Sequence, residues 1–176
     1  MTEEQKTIYK RIKKDNTIRN IDGDIKLVVQ NVLEKMLRLH EVCGGFWAER
    51  IDTGKFKITE DKFGQIKKPI YKYDHHRIEG KMPKLDECVK VLTEDYKDDQ
   101  GIVWVVHSEE LHMIAEELSK HGSVGVLHGG VSEDDRNKLD ADFRVGRVKW
   151  IVANPTTGGR GYTFDAAYVM VNYTSS

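Results

Sequence analysis

Short, mainly apolar runs alternate with amphipathic stretches throughout the second half of the chain. The runs cover residues 102–106, 124–127, 148–153 and 168–171, and stretches with helical spacing of apolar positions follow the first two. Strands that are apolar on both faces are typical of a parallel sheet covered by helices on both sides. The pattern therefore predicts an α/β fold of three layers, a parallel sheet flanked by helices.

Three residues mark where later helices begin. Pro83 suits the first turn of a helix, because its missing N–H has no intrahelical partner there. Ser108 and Ser132 stand at N-cap positions, and Asp135 follows Ser132 at the spacing of a capping box. Each of these starts agrees with the alternation of strands and helices.

Helical spacing also marks the first 45 residues. Residues 3–14 carry apolar side chains on one helical face, and a stronger apolar stripe runs over residues 25–39. Asp24 is the candidate N-cap of this second helix, and Gly44-Gly45 is expected to end it.

Residues 46–80 change to period-two alternation around a turn at residues 60–64. Lysines alternate there with aromatic and β-branched residues, which predicts a β-hairpin. We expect this segment to be a hairpin-rich insertion. Its lysines, Lys67 and Lys68 among them, either form a solvated face or contact the backbone of a nucleic-acid duplex.

Composition excludes several classes of protein. The chain has 28 Lys and Arg against 29 Asp and Glu, a formal net charge of −1, so bulk charge does not indicate a nucleic-acid partner. Two cysteines, Cys43 and Cys88, do not make a disulfide scaffold. No apolar run is long enough to cross a bilayer, and 176 residues predict a single domain over 1–176.

Candidate chemistry lies in the loops that follow the predicted strands, because open parallel sheets bind ligands beyond the carboxyl ends of their strands. These loops cover residues 107–110, 127–132 and 154–163. The third combines hydroxyl groups, closely spaced glycines and Arg160, which suits an approach to phosphate groups. The alternative is a tight crossover turn with no ligand.

A zinc site can also be assembled from the sequence. The candidate ligands lack the paired Cys-x2-Cys spacing of structural zinc sites, so we favour buried thiols and expect no metal site. These candidates are His40, Cys43, His75, His76 and Cys88.

Several segments together resemble the second RecA-like lobe of superfamily-two helicases, specifically the Swi/Snf-like ATPases and their phage and bacterial relatives. Thr157 and Thr163 depart from the family, which has Ala and Asn there. The segments are the opening helix Glu4–Tyr9, the Leu-rich Met36–Cys43, Gly80–Leu85, motif IV at Ile102–His107, Leu127-His128-Gly129 with Arg136 and Phe143 after it, and motif V at Thr157–Phe164.

The resemblance implies contacts to nucleic acid and to ATP, with no catalytic residue in this chain. For His107 and His128, lining a nucleic-acid track and bonding the local backbone remain equal alternatives. The nucleic-acid candidates are His107, Ser108, His128, Gly129, Asn154, Thr156, Thr157 and Gly158, with Lys67 and Lys68 from the hairpin; the ATP candidates are Gly159, Arg160, Gly161 and Thr163.

The resemblance further implies part of an ATP-driven DNA translocase. The chain has no Gly-x4-Gly-Lys-Ser/Thr loop and stops before the family's motif VI arginines. We therefore expect ATP and Mg²⁺ to act in a longer enzyme and not to bind this chain alone.

The expected partners are DNA and a first RecA-like lobe, with no membrane. The expected location is the cytoplasm, or the host cytoplasm if the protein is phage-encoded. The alternatives are a catalytically inactive α/β nucleic-acid- or protein-binding module and an unrelated doubly wound nucleotide or phosphosugar enzyme.

Overall fold

The computed structural model describes residues 1–19, 24–61, 64–158 and 164–174. The chain divides into two compact units, Met1–Gly80 and Lys81–Ser176. The expectation of one lobe over 1–176, with 46–80 as its insertion, stays a prediction. Over the described residues, no helix has the length and apolarity to span a membrane.

The first unit opens with helix α1, Glu3–Asp15. Thr2 caps it, accepting from the Gln5 N–H, while the Gln5 side chain accepts from the Thr2 N–H. Asn16 ends the helix in the left-handed region at φ 54°. Strand β1, Thr17–Arg19, follows and pairs antiparallel with β2, Ile25–Val28. The predicted helix over residues 3–14 is confirmed.

The second helix, α2, covers Val32–Gly44, so its predicted start at residue 25 with Asp24 as N-cap is wrong. Leu27 lies opposite Ile18 and both are buried, which ties the segment to a strand partner. Asn31 is the N-cap and accepts from the Glu34 N–H at 2.8 Å. The apolar stripe spans two elements, because tertiary pairing overrides its helical spacing. Gly45 ends the helix as predicted, at φ 93°.

A small core and one buried ion pair stabilise the first unit. Arg38 donates to both carboxylate oxygens of Glu41 at 2.7 and 2.8 Å, and both side chains are buried. Burial raises the pKa of the Glu41 carboxyl, opposed by the Arg38 guanidinium. The outer face of α2 stays exposed at Leu33 and Met36. The core is made of Ile12, Ile18, Leu27, Val29, Val42 and Ile78.

The predicted hairpin is confirmed and fills most of the segment 46–80. Strand β3, Phe46–Asp61, pairs antiparallel with β4, Gly64–Arg77. The register shifts between Asp52 and Lys55, where Gly54 has φ 67°. Most of β4 is exposed, so cross-strand hydrogen bonds hold this ribbon together in place of a core.

The second unit confirms the α/β fold class. Its four strands are parallel and stand in the order β6-β7-β5-β8. Chain order is α3 Pro83–Lys90, a π-helical turn Val91–Asp95, β5 Gly101–Trp104, α4 Ser108–Ser119, β6 Val124–Leu127, α5 Glu133–Arg144, β7 Trp150–Ala153, α6 Pro155–Gly158 and β8 Val169–Asn172.

Alternate residues of the central strands enter two cores, one on each face of the sheet. Val103 and Val152 pack with Leu118 of α4 on one face, whereas Ile102 and Phe143 belong to the core on the other face. Helices therefore cover both faces, as the doubly apolar strands predicted.

The helix caps agree with the sequence except at one position. Ser132 caps α5, accepting from the Asp135 N–H, as predicted. The N-cap of α4 is His107, one residue before the predicted Ser108, which becomes the first residue of the helix. Helix ends are defined to within a residue or two, so the shift leaves the position of the helix unchanged.

Two valines of the second unit provide a matched test of its core. Val152 is fully buried, whereas Val145 is 62% exposed. We expect Val152→Ala to lower the free energy of unfolding by about 2 kcal/mol, because the substitution removes two buried methyl groups. Val145→Ala should change it by less than about 0.5 kcal/mol. Urea unfolding followed by tryptophan fluorescence measures both, and equal effects would contradict this core.

Cys88 provides a pH-dependent test. Burial raises the pKa of its thiol to about 12, so almost no reactive thiolate exists at pH 8. Cys43 is only partly buried. We expect iodoacetamide at pH 8 to alkylate Cys43 at least tenfold faster, and Cys88 to react only after unfolding in urea. Peptide mass spectrometry measures both rates, and rapid labelling of folded Cys88 would contradict its burial.

Candidate functional site

A cleft of about 470 Å³ opens where the carboxyl ends of β5, β6 and β7 meet. This is the edge at which open parallel sheets bind ligands. Its walls come from the first turns of α4, the loop after β6 and the short helix α6. The lining residues are Val106, Ser108, Leu111, His112, His128, Gly129, Asn154, Thr156 and Thr157.

The structure brings six of the ten predicted nucleic-acid residues together around this cleft. His107, the N-cap of α4, is not among the described lining residues, and Gly158 is the last residue of α6. Lys67 and Lys68 lie on β4 in the other unit. The ATP candidates Gly159, Arg160, Gly161 and Thr163 lie outside the described residues. The six that meet are Ser108, His128, Gly129, Asn154, Thr156 and Thr157.

Asn154 ties the strand ends together. Its side-chain N–H donates to the Val106 carbonyl at 2.9 Å, and its backbone N–H donates to the Leu127 carbonyl at 3.0 Å. Its side-chain oxygen accepts from the Thr156 N–H at 2.9 Å. One residue therefore joins the segments that follow β5 and β6 to the start of α6. The sequence predicted a ligand contact at Asn154, and the structure adds this positioning role.

Arg136 fixes the loop after β6 by hydrogen bonds to its backbone carbonyls. Its guanidinium donates to the Val131 carbonyl at 2.9 Å and to the His128 carbonyl at 3.2 Å. The Gly130 N–H donates to Nδ1 of His128 at 3.0 Å, so the neutral ring carries its proton on Nε2. His128 therefore bonds the local backbone and also lines the cleft, and its contact with nucleic acid stays a prediction.

His112 is a cleft residue that sequence reasoning missed. It stands four residues after Ser108 on α4, which places both on the same helical face. Its ring contacts that of His128 edge-on, with centroids 6.2 Å apart. Helical spacing from Ser108 was the signal that could have found it.

The lining groups suit an anion. None of the lining residues in the described part of the chain is acidic, while hydroxyl, imidazole and amide groups recur among them. The first turn of α4 lies at this cleft, and its backbone N–H groups can bind an anion, although Glu109 and Glu110 stand in the same turn. Neutral donors of this kind hold phosphate groups by hydrogen bonding.

Metal ions need sets of converging protein ligands. Within residues 1–19, 24–61, 64–158 and 164–174, no three His, Cys, Asp or Glu side chains converge as a metal site would require. Pairs of imidazoles such as His112 and His128 do occur, but a structural zinc ion takes four ligands.

A family model covers the unit that holds the cleft. The model for the helicase conserved C-terminal domain matches residues 80–176, which is more than half of the chain.

Curated relatives are similar to part of the chain. The chain is 34% identical over 74 residues to the ATP-dependent RNA helicase DBP5 of Candida albicans, covering 42% of the chain and 14% of that protein. It is 29% identical over 96 residues to the ATP-dependent RNA helicase DBP5 of Yarrowia lipolytica, covering 54% and 19%. The chain therefore spans less than a fifth of the length of these relatives.

Two solved structures are similar to about half of the chain. The C-terminal part of the Fun30 ATPase domain matches with a TM-score of 0.49 at 20% identity, covering 53% of this chain and 31% of that one. Saccharomyces cerevisiae Dbp5 bound to RNA and ADP BeF3 matches with a TM-score of 0.46 at 26% identity, covering 53% and 24%.

The predicted DNA partner is wrong, because the curated relatives are RNA helicases by name. The helicase C-terminal lobe is confirmed, whereas the Swi/Snf-like subdivision stays a prediction. The expectation of DNA comes from the resemblance to Swi/Snf-like ATPases, and phosphate contacts alone do not tell DNA from RNA, because both share the phosphate backbone.

Substitution of Asn154 tests whether its hydrogen bonds position the loops that line the cleft. We expect Asn154→Ala to lower the free energy of unfolding by about 1–3 kcal/mol, because the Val106 carbonyl and the Thr156 N–H lose their partner. Amide hydrogen exchange at Thr156 should accelerate with it. Asn137→Ala, at an exposed position of α5, is the control and should change neither quantity. Unchanged exchange at Thr156 would contradict the positioning role.

Proposed function

Because the chain belongs to the helicase conserved C-terminal domain family, we propose that it is the second RecA-like lobe of an ATP-dependent RNA helicase and contacts RNA through the cleft. Three facts support the proposal: the family, the names of the curated relatives, and a cleft of neutral donors at the carboxyl edge of the sheet. The cleft lining carries most weight, because it belongs to this chain's own residues.

The proposed contacts follow from the lining groups. Hydroxyls of Ser108, Thr156 and Thr157 donate to phosphate oxygens or pair with a ribose 2′-OH, and the N-terminus of α4 adds N–H groups. The bare backbone of Gly129 allows close approach of the strand. Nε2–H of His128, facing away from its backbone bond, supplies another donor.

In this proposal, ATP contacts the loop that resembles motif V. Its residues Gly159, Arg160, Gly161 and Thr163 are outside the described part of the chain, so no step of hydrolysis is assigned to described residues. Hydrolysis in this family needs a phosphate-cradling loop and a Mg²⁺ site on a first lobe. ATP, Mg²⁺ and that lobe therefore belong to the proposal for the longer protein.

A matched pair of substitutions on α4 tests the RNA contact. Ser108 lines the cleft at the start of the helix, and Ser119 is exposed at its end. We expect Ser108→Glu to weaken binding of a fluorescent 20-mer of oligouridylate at least tenfold, because a carboxylate then occupies the anion site. Ser119→Glu adds the same charge and should change affinity less than twofold. Fluorescence anisotropy at 50 mM salt measures both.

Two outcomes would contradict the proposal. One is equal RNA affinity for the Ser108→Glu variant and the parent chain, with circular dichroism showing both folded. The other is equal binding of a deoxyuridine 20-mer, since the proposed 2′-OH contacts should favour the ribose strand at least fivefold. The circular dichroism spectrum of Ser119→Glu shows whether an added carboxylate on α4 by itself disturbs the helix.

A further inference from the structure

The β3–β4 ribbon has two chemically different faces. Directly opposed residues of an antiparallel pair share a face, and neighbours along a strand alternate. Lys57 lies opposite Lys68, Lys55 opposite Ile70, and Lys72 opposite Ile51. The register therefore gathers Lys55, Lys57, Lys68 and Lys72 on one side, which we call the lysine face.

The opposite face carries a different charge pattern. Lys67 lies opposite Ile58 there, and its ammonium sits 4.1 Å from the centre of the Phe56 ring. Glu60 and Asp52 share that face by the same register. Adjacent residues Lys67 and Lys68 thus lie on opposite faces, although the sequence suggested a common role for them.

The lysine face holds concentrated positive charge. Between the pair Ile51–Lys72 and the pair Thr59–Ile66 it bears four lysines and no carboxylate, and Glu49 opposite Asp74 bounds it beyond Lys72. Residues two apart on a strand are about 7 Å apart, and opposed residues have Cβ atoms about 5 Å apart. Four ammonium groups therefore lie within one small patch.

This charge has no partner inside the described part of the chain. All four lysines are exposed, and none forms an ion pair with a described residue. Opposed like charges such as Lys57 and Lys68 destabilise a strand pair, so the arrangement favours binding of an external polyanion. Ile51, Ile66 and Ile70 on the same face are each 40% exposed and provide apolar contact between the charges.

We propose that the lysine face is a second RNA-binding surface, distinct from the cleft, whose four lysines contact consecutive phosphates of the strand. Each contact releases condensed counterions, which makes the binding favourable and dependent on salt. The isoleucines pack against sugars and bases between the phosphate contacts. The choice of RNA as the polyanion rests on the proposed function, whereas the charged surface itself does not.

The proposal is tested by the salt dependence of RNA binding by the full chain. We expect Lys57→Ala/Lys68→Ala to reduce the slope of log affinity against log salt by about two, because two ammonium groups no longer neutralise phosphates. Affinity for the oligouridylate 20-mer at 100 mM salt should fall at least tenfold. Lys10→Ala/Lys14→Ala removes the same charge from exposed positions of α1 in the same unit and should leave the slope unchanged.

Three outcomes would overturn this inference. Equal slopes for the parent and the Lys57→Ala/Lys68→Ala variant would show that these lysines do not bind phosphates, and equal reductions in both double variants would show a bulk charge effect. Binding to vesicles containing phosphatidylserine that disappears in the same variant, with RNA binding intact, would show that the surface binds membranes instead.

The test separates this inference from the cleft. In the Ser108→Glu background, removal of Lys57 and Lys68 should still reduce the slope by about two. If Ser108→Glu alone has no effect while the lysine variant does, the cleft proposal fails and the lysine face stands. The opposite pattern retains the cleft and rejects the lysine face.

Discussion

The carboxyl edge of a parallel sheet imposes the constraint on which the described site depends. Strands end there with carbonyl groups that no neighbouring strand can satisfy, and unpaired buried carbonyls are costly. Asn154 donates hydrogen bonds to the Val106 and Leu127 carbonyls. Arg136 donates to carbonyls of the loop after β6. These side chains fix the loops whose hydroxyl and imidazole groups line the cleft.

The two proposed RNA surfaces differ in the physics of recognition. The cleft offers neutral donors on rigid elements, so its contacts depend on geometry and respond weakly to salt. The lysine face offers full charges on an exposed ribbon, and its contribution depends on counterion release. The cleft is suited to discriminate between nucleic-acid strands, and the lysine face is suited to bind any phosphate backbone. The two proposals therefore assign complementary modes of binding to separate compact units of one chain.

Core placement explains why the units carry these different chemistries. The sheet of the second unit buries apolar residues on both faces, so polar groups gather only at its edge. The ribbon beyond the first unit's core has no apolar layer to cover, and its alternating positions can therefore carry charge on one face and aromatic contacts on the other. Because the sheet is buried on both faces, the polar groups of the cleft are confined to loops. The ribbon is exposed, so its strand positions can carry the charges of the lysine face.

The sequence by itself determined the alternation of strands and helices, the hairpin, the Ser132 cap and six residues of the cleft, because period, caps and post-strand position are local signals. Tertiary structure decided the rest. Residues 25–28 form a strand because Leu27 needs Ile18 as a buried partner. His112 joins the cleft because α4 turns toward β6, and Lys68 joins three other lysines because a cross-strand register pairs residues distant in the chain. Sequence order does not encode such pairings, because they depend on contacts that form only when the chain folds.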